Sequence, residues 1–338
     1  MFDVLALGEI LLRLSPPMNE KLVRGETFEK QVGGAELNVL SCAALLGLRA
    51  GIISKLAHND IGEFARNRVR FVGGGSDDYL MNDDEKDGRV GIYYYENGAY
   101  PRKPRIVYDR AHTSMSRLSA DEFPASMYSL TRCFHTTGIT LALGEQVRTT
   151  AYEMIKKFKK NGALISFDVN FRSNLWSGEE ARRTIEEILP LVDIFFCSEE
   201  TARLTFKKSG NLKDMMKEFA DEYNIGVIAS TQRIVHSPKI HTFGSVIYEK
   251  CSDTFYEEPP YSKIEVVDRI GSGDAYISGV LYGILSENGS CAKALSFGNA
   301  AGAIKNTIPG DMQASLRGEV EAVIQSHRLK GNDCEMVR

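Results

Sequence analysis

The stretch IEVVDRIGSGDAYISG, residues 264–279, decides how the rest of the chain is read. Its apolar residues alternate at Ile264, Val266 and Ile270, which predicts a strand edge. The chain then turns through Gly271-Ser272-Gly273. From Asp274 on, Ala275, Ile277, Val280, Leu281 and Ile284 recur at helical spacing. A glycine turn feeding a helix start points several free backbone N–H groups at one spot, and the helix dipole adds positive potential there, so the place suits a phosphate. Asp274 sits where those N–H groups converge. A carboxylate at a helix N-terminus is often only a cap. Read alone, cap and catalytic group account for Asp274 equally well; the rest of the chain favours the catalytic reading.

Upstream, Phe2–Leu7 reads as a buried strand and 9–14 continues with apolar alternation until Pro16-Pro17 breaks it. Gly33-Gly34 then precedes a helix marked by Leu37, Leu40, Ala44 and Leu45. A double glycine lets a ligand approach the backbone closely, although taken in isolation the pair reads first as a tight strand-to-helix turn. Asn38, in the first turn on the side of the glycines, is placed to hydrogen-bond a polyol. Ala50–Leu56 is a predicted strand, and 61–72 a helix ending at Gly73-Gly74-Gly75. The segments 91–95 and 105–110 read as exposed β around the turn-rich ENGAYPRKP. They form either a solvated ribbon or a flap whose Tyr93, Tyr108 and Arg110 point at ligand.

From residue 132 strand and helix alternate, with strands at 132–135, 163–168, 192–197 and 226–230 and helices at 145–160, 179–188 and 212–223. Polar residues follow the strand ends: Thr136-Thr137-Gly138, Asp168-Val169-Asn170-Phe171-Arg172, Ser198-Glu199-Glu200 and Thr231-Gln232-Arg233. Doubly wound folds place ligand contacts there. Two edge-like strands, near 244–248 and 253–256, precede the opening motif, and helices near 291–305 and 316–326 close the chain. The alternation predicts an α/β fold: a mostly parallel central sheet with helices on both faces plus a small β lid. One domain over 1–328 is expected, with the lid built from about 10–32 and 86–113 and a frayed tail at 329–338.

Composition limits the function. The 338 residues carry a net charge of -4, which argues against a nucleic-acid binder held by phosphate neutralisation. The six cysteines show no CxxC and no metal spacing, so free thiols in a reducing, cytoplasmic compartment are expected. There is no signal-peptide pattern at residues 1–15 and no apolar run of roughly 20 residues to span a membrane. GxxxxGK[ST], GxGxxG after the first strand, GxSxG and HExxH are all absent. The six histidines do not cluster.

Three stretches together, GGAELN at 33–38, DVNFR at 168–172 and DRIGSGDAY at 268–276, resemble the ribokinase-like (PfkB) family of carbohydrate kinases. The resemblance runs from about residue 3 to about residue 315. The segments GEILLRLSP, GIYYYENGAYPRKPRIVYDRAHTS, TTGITLAL and SEETARL are similar to the branch acting on 2-keto-3-deoxygluconate. The resemblance implies transfer of the γ-phosphoryl of ATP, with Mg²⁺, to a hydroxyl of a sugar acid; some relatives also depend on K⁺. Asp274 is then expected to accept the hydroxyl proton, and the N–H groups of Gly271, Ser272 and Gly273 to form an anion hole. Gly33, Gly34 and Asn38 are expected at the sugar hydroxyls and Tyr93, Tyr108 and Arg110 on the lid side. Arg172 is expected at carboxylate or phosphate, and Asp311 at the far end of the sugar. Asn170, Ser198, Thr231, Arg233 and Asn299 are expected at the nucleotide. A carboxylate substrate is best held by arginine with tyrosine donors, and Arg105, Arg110 and Arg172 are available; for Arg105 and Arg110 the plainer account is a charged ribbon surface.

The chain departs from the family twice. Where relatives carry an NxxE-like segment supporting the Mg²⁺ water shell, it has Ser198-Glu199-Glu200-Thr201, with Glu200 the nearest substitute. Where relatives often have Thr-x-Gly-x-x-Gly over the ATP phosphates, it has Thr231 to His236 without glycine. Two alternatives to a sugar-acid kinase remain: a neutral-sugar kinase such as a fructokinase, and a non-catalytic sugar-binding protein. A homodimer through the lid is expected, because a projecting ribbon leaves unpaired strand edges.

Overall fold

In chain order the elements are β1 (Phe2–Leu7), β2 (Leu11–Ser15), β3 (Glu29–Gly33), α1 (Ala35–Leu45), β4 (Ala50–Ala57), α2 (Asp60–Arg70), β5 (Tyr79–Asp83), β6 (Gly91–Glu96) and β7 (Arg105–Asp109). After three short 3₁₀ turns come β8 (Thr131–Thr137), α3 (Gly138–Leu141), α4 (Glu145–Lys160), β9 (Leu164–Asp168), α5 (Gly178–Glu186), β10 (Ile194–Phe196), α6 (Glu199–Leu204) and α7 (Leu212–Tyr223). The chain ends through β11 (Val227–Ser237), β12 (Ile240–Glu249), β13 (Thr254–Glu257), β14 (Tyr261–Glu265), α8 (Ser272–Leu285), α9 (Cys291–Lys305) and α10 (Arg317–Arg328). The computed structural model describes residues 1–73 and 76–329. Gly74, Gly75 and the expected tail beyond Leu329 lie outside the described residues.

Ten strands form the main sheet, in the order β13-β12-β11-β10-β9-β8-β1-β4-β5 with β14 also on β12. The run from β11 to β5 is parallel, and β12 turns back antiparallel on β11. Both faces are covered, so its strands read as apolar runs rather than strict alternation. In β1, Val4 and Ala6 face the layer of α1, α2, α8, α9 and α10, while Leu5 and Leu7 face the layer of α4, α5 and α7. Helix α4 shows the periodicity behind this packing: Val147, Ala151, Met154, Ile155 and Phe158 are buried on one stripe. Helix α7 is set by Asn211 and Asp214 in a reciprocal capping box and ends on Asn224 in the left-handed region.

The lid is a separate four-stranded sheet, ordered β3-β2-β6-β7. Its strands come from residues 11–33 and 91–109.

The expectation of edge-like strands near 244–248 fails. β12 is ten residues long, mostly buried, and lies between β11 and its partners β13 and β14. Its polar His241, Thr242 and Ser245 hid a buried strand, because their side chains are accommodated inside rather than facing water. β11 also runs on past Ser230 to Ser237 as an exposed hairpin arm, whose mixed Gln232–His236 composition resembled a loop.

Candidate active site

The parallel strands end in register: Thr137 of β8 lies opposite Asp168 of β9, which lies opposite Phe196 of β10. Two cavities open above these ends, of about 500 Å³ and about 450 Å³. The first lies under the lid and is lined by Gly34, Asn38, Tyr93, Tyr108, Arg110, Asp311 and the Gly271–Asp274 turn. The second is lined by Ser198, Glu200, Thr201, Thr231, Tyr276 and Ile277. Asp168, Asn170, Arg172, Arg233 and Gly273 border both, so the cavities meet at the helix start read from the opening stretch.

The turn itself is held in place. Gly271 caps α8 with φ 81°, and a Cβ there would meet the Asp311 carbonyl oxygen at 2.0 Å. Gly271→Ala is therefore expected to cost about 1–3 kcal/mol in thermal or denaturant unfolding and to lower kcat, because the turn must open. Ser272 N–H is spent on the Arg269 carbonyl at 3.3 Å. That corrects the expected anion hole: its free donors are the N–H groups of Gly271, Gly273 and Asp274, with no partner among the described residues. Arg172, Arg233 and Arg269 stand around the turn with no ion pair among the described residues. Three unpaired guanidiniums around free N–H groups make a strong anion site.

Asp274 takes a hydrogen bond from Asn38 Nδ2 at 2.7 Å. Asn38 therefore orients the carboxylate rather than simply facing a polyol, and its buried Oδ1 has no partner. Burial above all, with a smaller push from the Asp168 charge, raises Asp274 to about 7; Asp168 is raised to about 7 for the same leading reason. A base poised near neutrality suits proton transfer. Only the ionised form accepts a proton. In the free enzyme kcat/KM is thus expected to rise with pH through about 7 and then level, with the two carboxyls titrating as a pair. Asp168→Asn removes a like charge, so the acid limb should move to lower pH; an unmoved limb in a pH–rate profile contradicts the coupling. The sign for stability is opposite: the folded state binds these protons more tightly than the unfolded one, so apo stability falls as pH rises from about 3.8 through about 7.

Under the lid, charge is already organised. Arg13 of β2 is almost fully buried and bridges Asp268 at 2.6 Å and Asp311 at 2.7 Å. Tyr93 donates to the other Asp311 oxygen. Burial leads the upward shifts of both Asp311 and Tyr93. Arg110 pairs with buried Glu9, which also accepts from Thr113 at 2.5 Å. Arg110 thus brings to the cavity only the donors Glu9 leaves free. Tyr108 lies 6.0 Å from Tyr93, ring to ring, with Arg110 over its face at 5.5 Å.

Two expected site residues are elsewhere. Gly33 does not line the first cavity; it backs Asp311, whose Oδ2 would be 1.9 Å from a Cβ at that position. Asn299 is fully buried, lines neither cavity, donates to Glu258 at 2.8 Å and accepts from Ser245 at 2.7 Å. Its amide is satisfied where α9 packs on β12. Ser198 lines the second cavity while capping α6 through Thr201 N–H at 3.1 Å. Arg105, also considered for a carboxylate, is exposed on the lid edge and does not line the cavity. Sequence reasoning missed Arg269, Arg13, Glu9 and the coupling of Asp168 to Asp274. Arg13 had a signal, a lone cation in the apolar strand LLRLS, and Arg269 lies inside the motif itself.

Among the described residues no group of three or more His, Cys, Asp or Glu forms a metal-binding cluster. A phosphate-borne Mg²⁺ keeps most of its waters and needs only one or two carboxylates. The carboxylates lining the second cavity are Asp168 and Glu200.

Residues 1–316 match the family described as pfkB family carbohydrate kinase. The chain is similar to 2-dehydro-3-deoxygalactonokinase of Haloferax volcanii, 31% identical over 99% of this chain and 99% of that one. It is also similar to 2-dehydro-3-deoxygluconokinase of Bacillus subtilis, 29% identical over 98% and 99%. The crystal structure of 2-dehydro-3-deoxygluconokinase from Thermotoga maritima superposes with a TM-score of 0.90, covering 95% of this chain and 98% of that one at 30% identity.

Proposed function

Because the chain belongs to the pfkB family of carbohydrate kinases, we propose that it transfers the γ-phosphoryl of ATP to 2-keto-3-deoxygluconate, giving the 6-phosphate. The observation that carries this reading is the meeting of the two cavities at Asp274 and the Gly271–Gly273 turn, ringed by Arg172, Arg233 and Arg269. The sugar lies under the lid and the nucleotide on the Ser198–Thr231 side. Asn38 fixes the Asp274 carboxylate, which takes the proton as the sugar hydroxyl attacks phosphorus. The free N–H groups and arginines hold the charge spreading over the transferring group. Asp168 and Glu200 would hold a Mg²⁺ through its waters, and the ion would offset the phosphate charge. Lid closure excludes water as a competing acceptor.

The acid is favoured over a neutral sugar by Arg172, whose only partner among the described residues is a backbone carbonyl, and by the free donors of Arg110. The relatives' names point to sugar acids differing in the configuration of one hydroxyl, so the test compares 2-keto-3-deoxygluconate with 2-keto-3-deoxygalactonate and with fructose, ribose and gluconate. Turnover confined to the keto acids supports the reading; preference for fructose or ribose rejects it. Arg172→Met is expected to raise KM for the acid about 10–100-fold, the worth of one charge-assisted contact, measured by steady-state kinetics.

The chain is further read as a homodimer through the lid. β7 is an edge strand of the lid sheet and exposes Ile106 and Val107. Sedimentation equilibrium of wild type and Val107→Glu tests this; a wild-type monomer rejects it. A cytoplasmic setting fits the free thiols of the five described cysteines. No helix among the described residues is long and apolar enough to cross a membrane.

A further inference from the structure

Lys305 ends α9 with its side chain fully buried, at 0% exposure. A buried ammonium ordinarily has a carboxylate partner. Lys305 makes no ion pair among the described residues. Its Nζ donates to two backbone carbonyls, Ile308 at 3.0 Å and Asp268 at 3.4 Å. A lysine at a helix C-terminus commonly offsets the dipole and caps the last carbonyls. That role places a cation at the helix end, although the Ile308 carbonyl itself lies three residues beyond it. It explains neither the complete burial nor the reach to Asp268, 37 residues earlier in the chain.

Asp268 begins the turn that leads to the anion-binding N–H groups. The Lys305 chain packs against that turn: a Cβ at Gly271 would lie 3.4 Å from Lys305 Cε. The ammonium therefore sits behind the turn, on its carbonyl side, while the free N–H groups face the cavities. The charges there also balance. Asp268 and Asp311 contribute two negative charges and Arg13 one positive. With Lys305 the cluster is neutral; without it, a net charge of −1 would lie directly behind a site that must accept phosphate.

We propose that Lys305 is a fixed internal cation of the anion turn, a positioning residue that pins the Asp268–Gly273 backbone and keeps its N–H face attractive to the transferring phosphoryl group. The inference rests on the kinase reading and adds a residue to it. The peptides it bonds, Asp268–Arg269 and Ile308–Pro309, carry none of the free N–H groups, so its charge acts on the phosphoryl site through space and through the fixed position of the turn.

The test uses Lys305→Met, which keeps length and volume without charge, and Lys305→Ala, which opens a hole lined by the two carbonyls. Losing the charge that balances the cluster should lower the Tm of Lys305→Met while leaving it folded at the assay temperature. Its kcat is expected to fall about 10–100-fold, somewhat less than for loss of a direct oxyanion donor, with KM for the sugar little changed. In Lys305→Ala, ammonium or potassium ions, which also favour carbonyl oxygens, should restore part of kcat; tetramethylammonium at equal ionic strength, too large for the hole, should not. A wild-type kcat in Lys305→Met overturns the proposal, as does joint loss of Tm and kcat without ion rescue, which marks a merely structural lysine. ATP affinity, read by calorimetry, is independent of the sugar accepted. A unit charge roughly 10 Å from an anion at an effective dielectric of about 20 changes binding by about tenfold, so an equal Kd for wild type and Lys305→Met also overturns it. Wild type inert with every sugar in the same assay instead rejects the kinase reading, with the calorimetric comparison still deciding the role of Lys305.

Discussion

Asp274→Asn is expected to lower kcat by about 10²–10⁴-fold, the range for removal of a positioned general base, while KM for ATP stays within about threefold. The substitution keeps the size of the side chain and a hydrogen bond to Asn38, so the turn and both cavities should persist. What disappears is the oxygen that accepts the hydroxyl proton. The effect is large because nothing nearby substitutes well: Asp168 borders both cavities but belongs to a different strand end. If kcat falls less than about fivefold, positioning and charge stabilisation carry the reaction and Asp274 is mainly a helix cap. The pH profile separates these cases, since the acid limb near 7 should vanish in the variant only if Asp274 is the titrating base.

Arg13→Met should produce the largest loss of stability, about 3–5 kcal/mol, because it leaves two buried carboxylates without their shared cation. In thermal unfolding this amounts to roughly 6–10 °C, taking about 2 °C per kcal/mol for a chain of this size. Asp268 retains bonds from Ile270 and Gly310 N–H, and Asp311 retains Tyr93. Those neutral donors cannot replace a guanidinium that serves both acids at once. Adding Asp268→Asn and Asp311→Asn to Arg13→Met should recover much of the loss, since the unpaired charges are then gone. A Tm unchanged in the single variant would mean that the two carboxyls are already protonated in the folded protein. Activity should fall as well, because Arg13 ties the lid to the start of the anion turn.

Much of this was legible from residues 264–279 and the strand-end polar clusters. The Gly-Ser-Gly turn had to be a helix start because helical spacing follows it directly, and a parallel sheet brings its strand ends to one side. The lid was legible from its aromatic, turn-punctuated segments. What escaped reading depends on three-dimensional pairing. Asn38 was read as a sugar ligand because spacing shows its side of the helix but not that Asp274, 236 residues later, would be its partner. Asn299 looked available in a helix of small residues, yet β12 and Glu258 consume its amide. Arg110 looked free because Glu9 lies 101 residues away. Gly33 looked like a ligand contact, but the group it makes room for is Asp311. In each case sequence indicated a polar residue near the site, and only packing showed whether another protein group already held it.

The most direct test of the central claim is sugar-dependent ATP turnover by wild-type protein, with 2-keto-3-deoxygluconate, 2-keto-3-deoxygalactonate, fructose, ribose and gluconate side by side. The account predicts turnover with the keto acids and little with the others. Preference for fructose or ribose would contradict the role given to Arg172 and Arg110 while leaving Asp274 and its turn intact, and absence of turnover with every sugar would contradict the phosphoryl-transfer assignment itself.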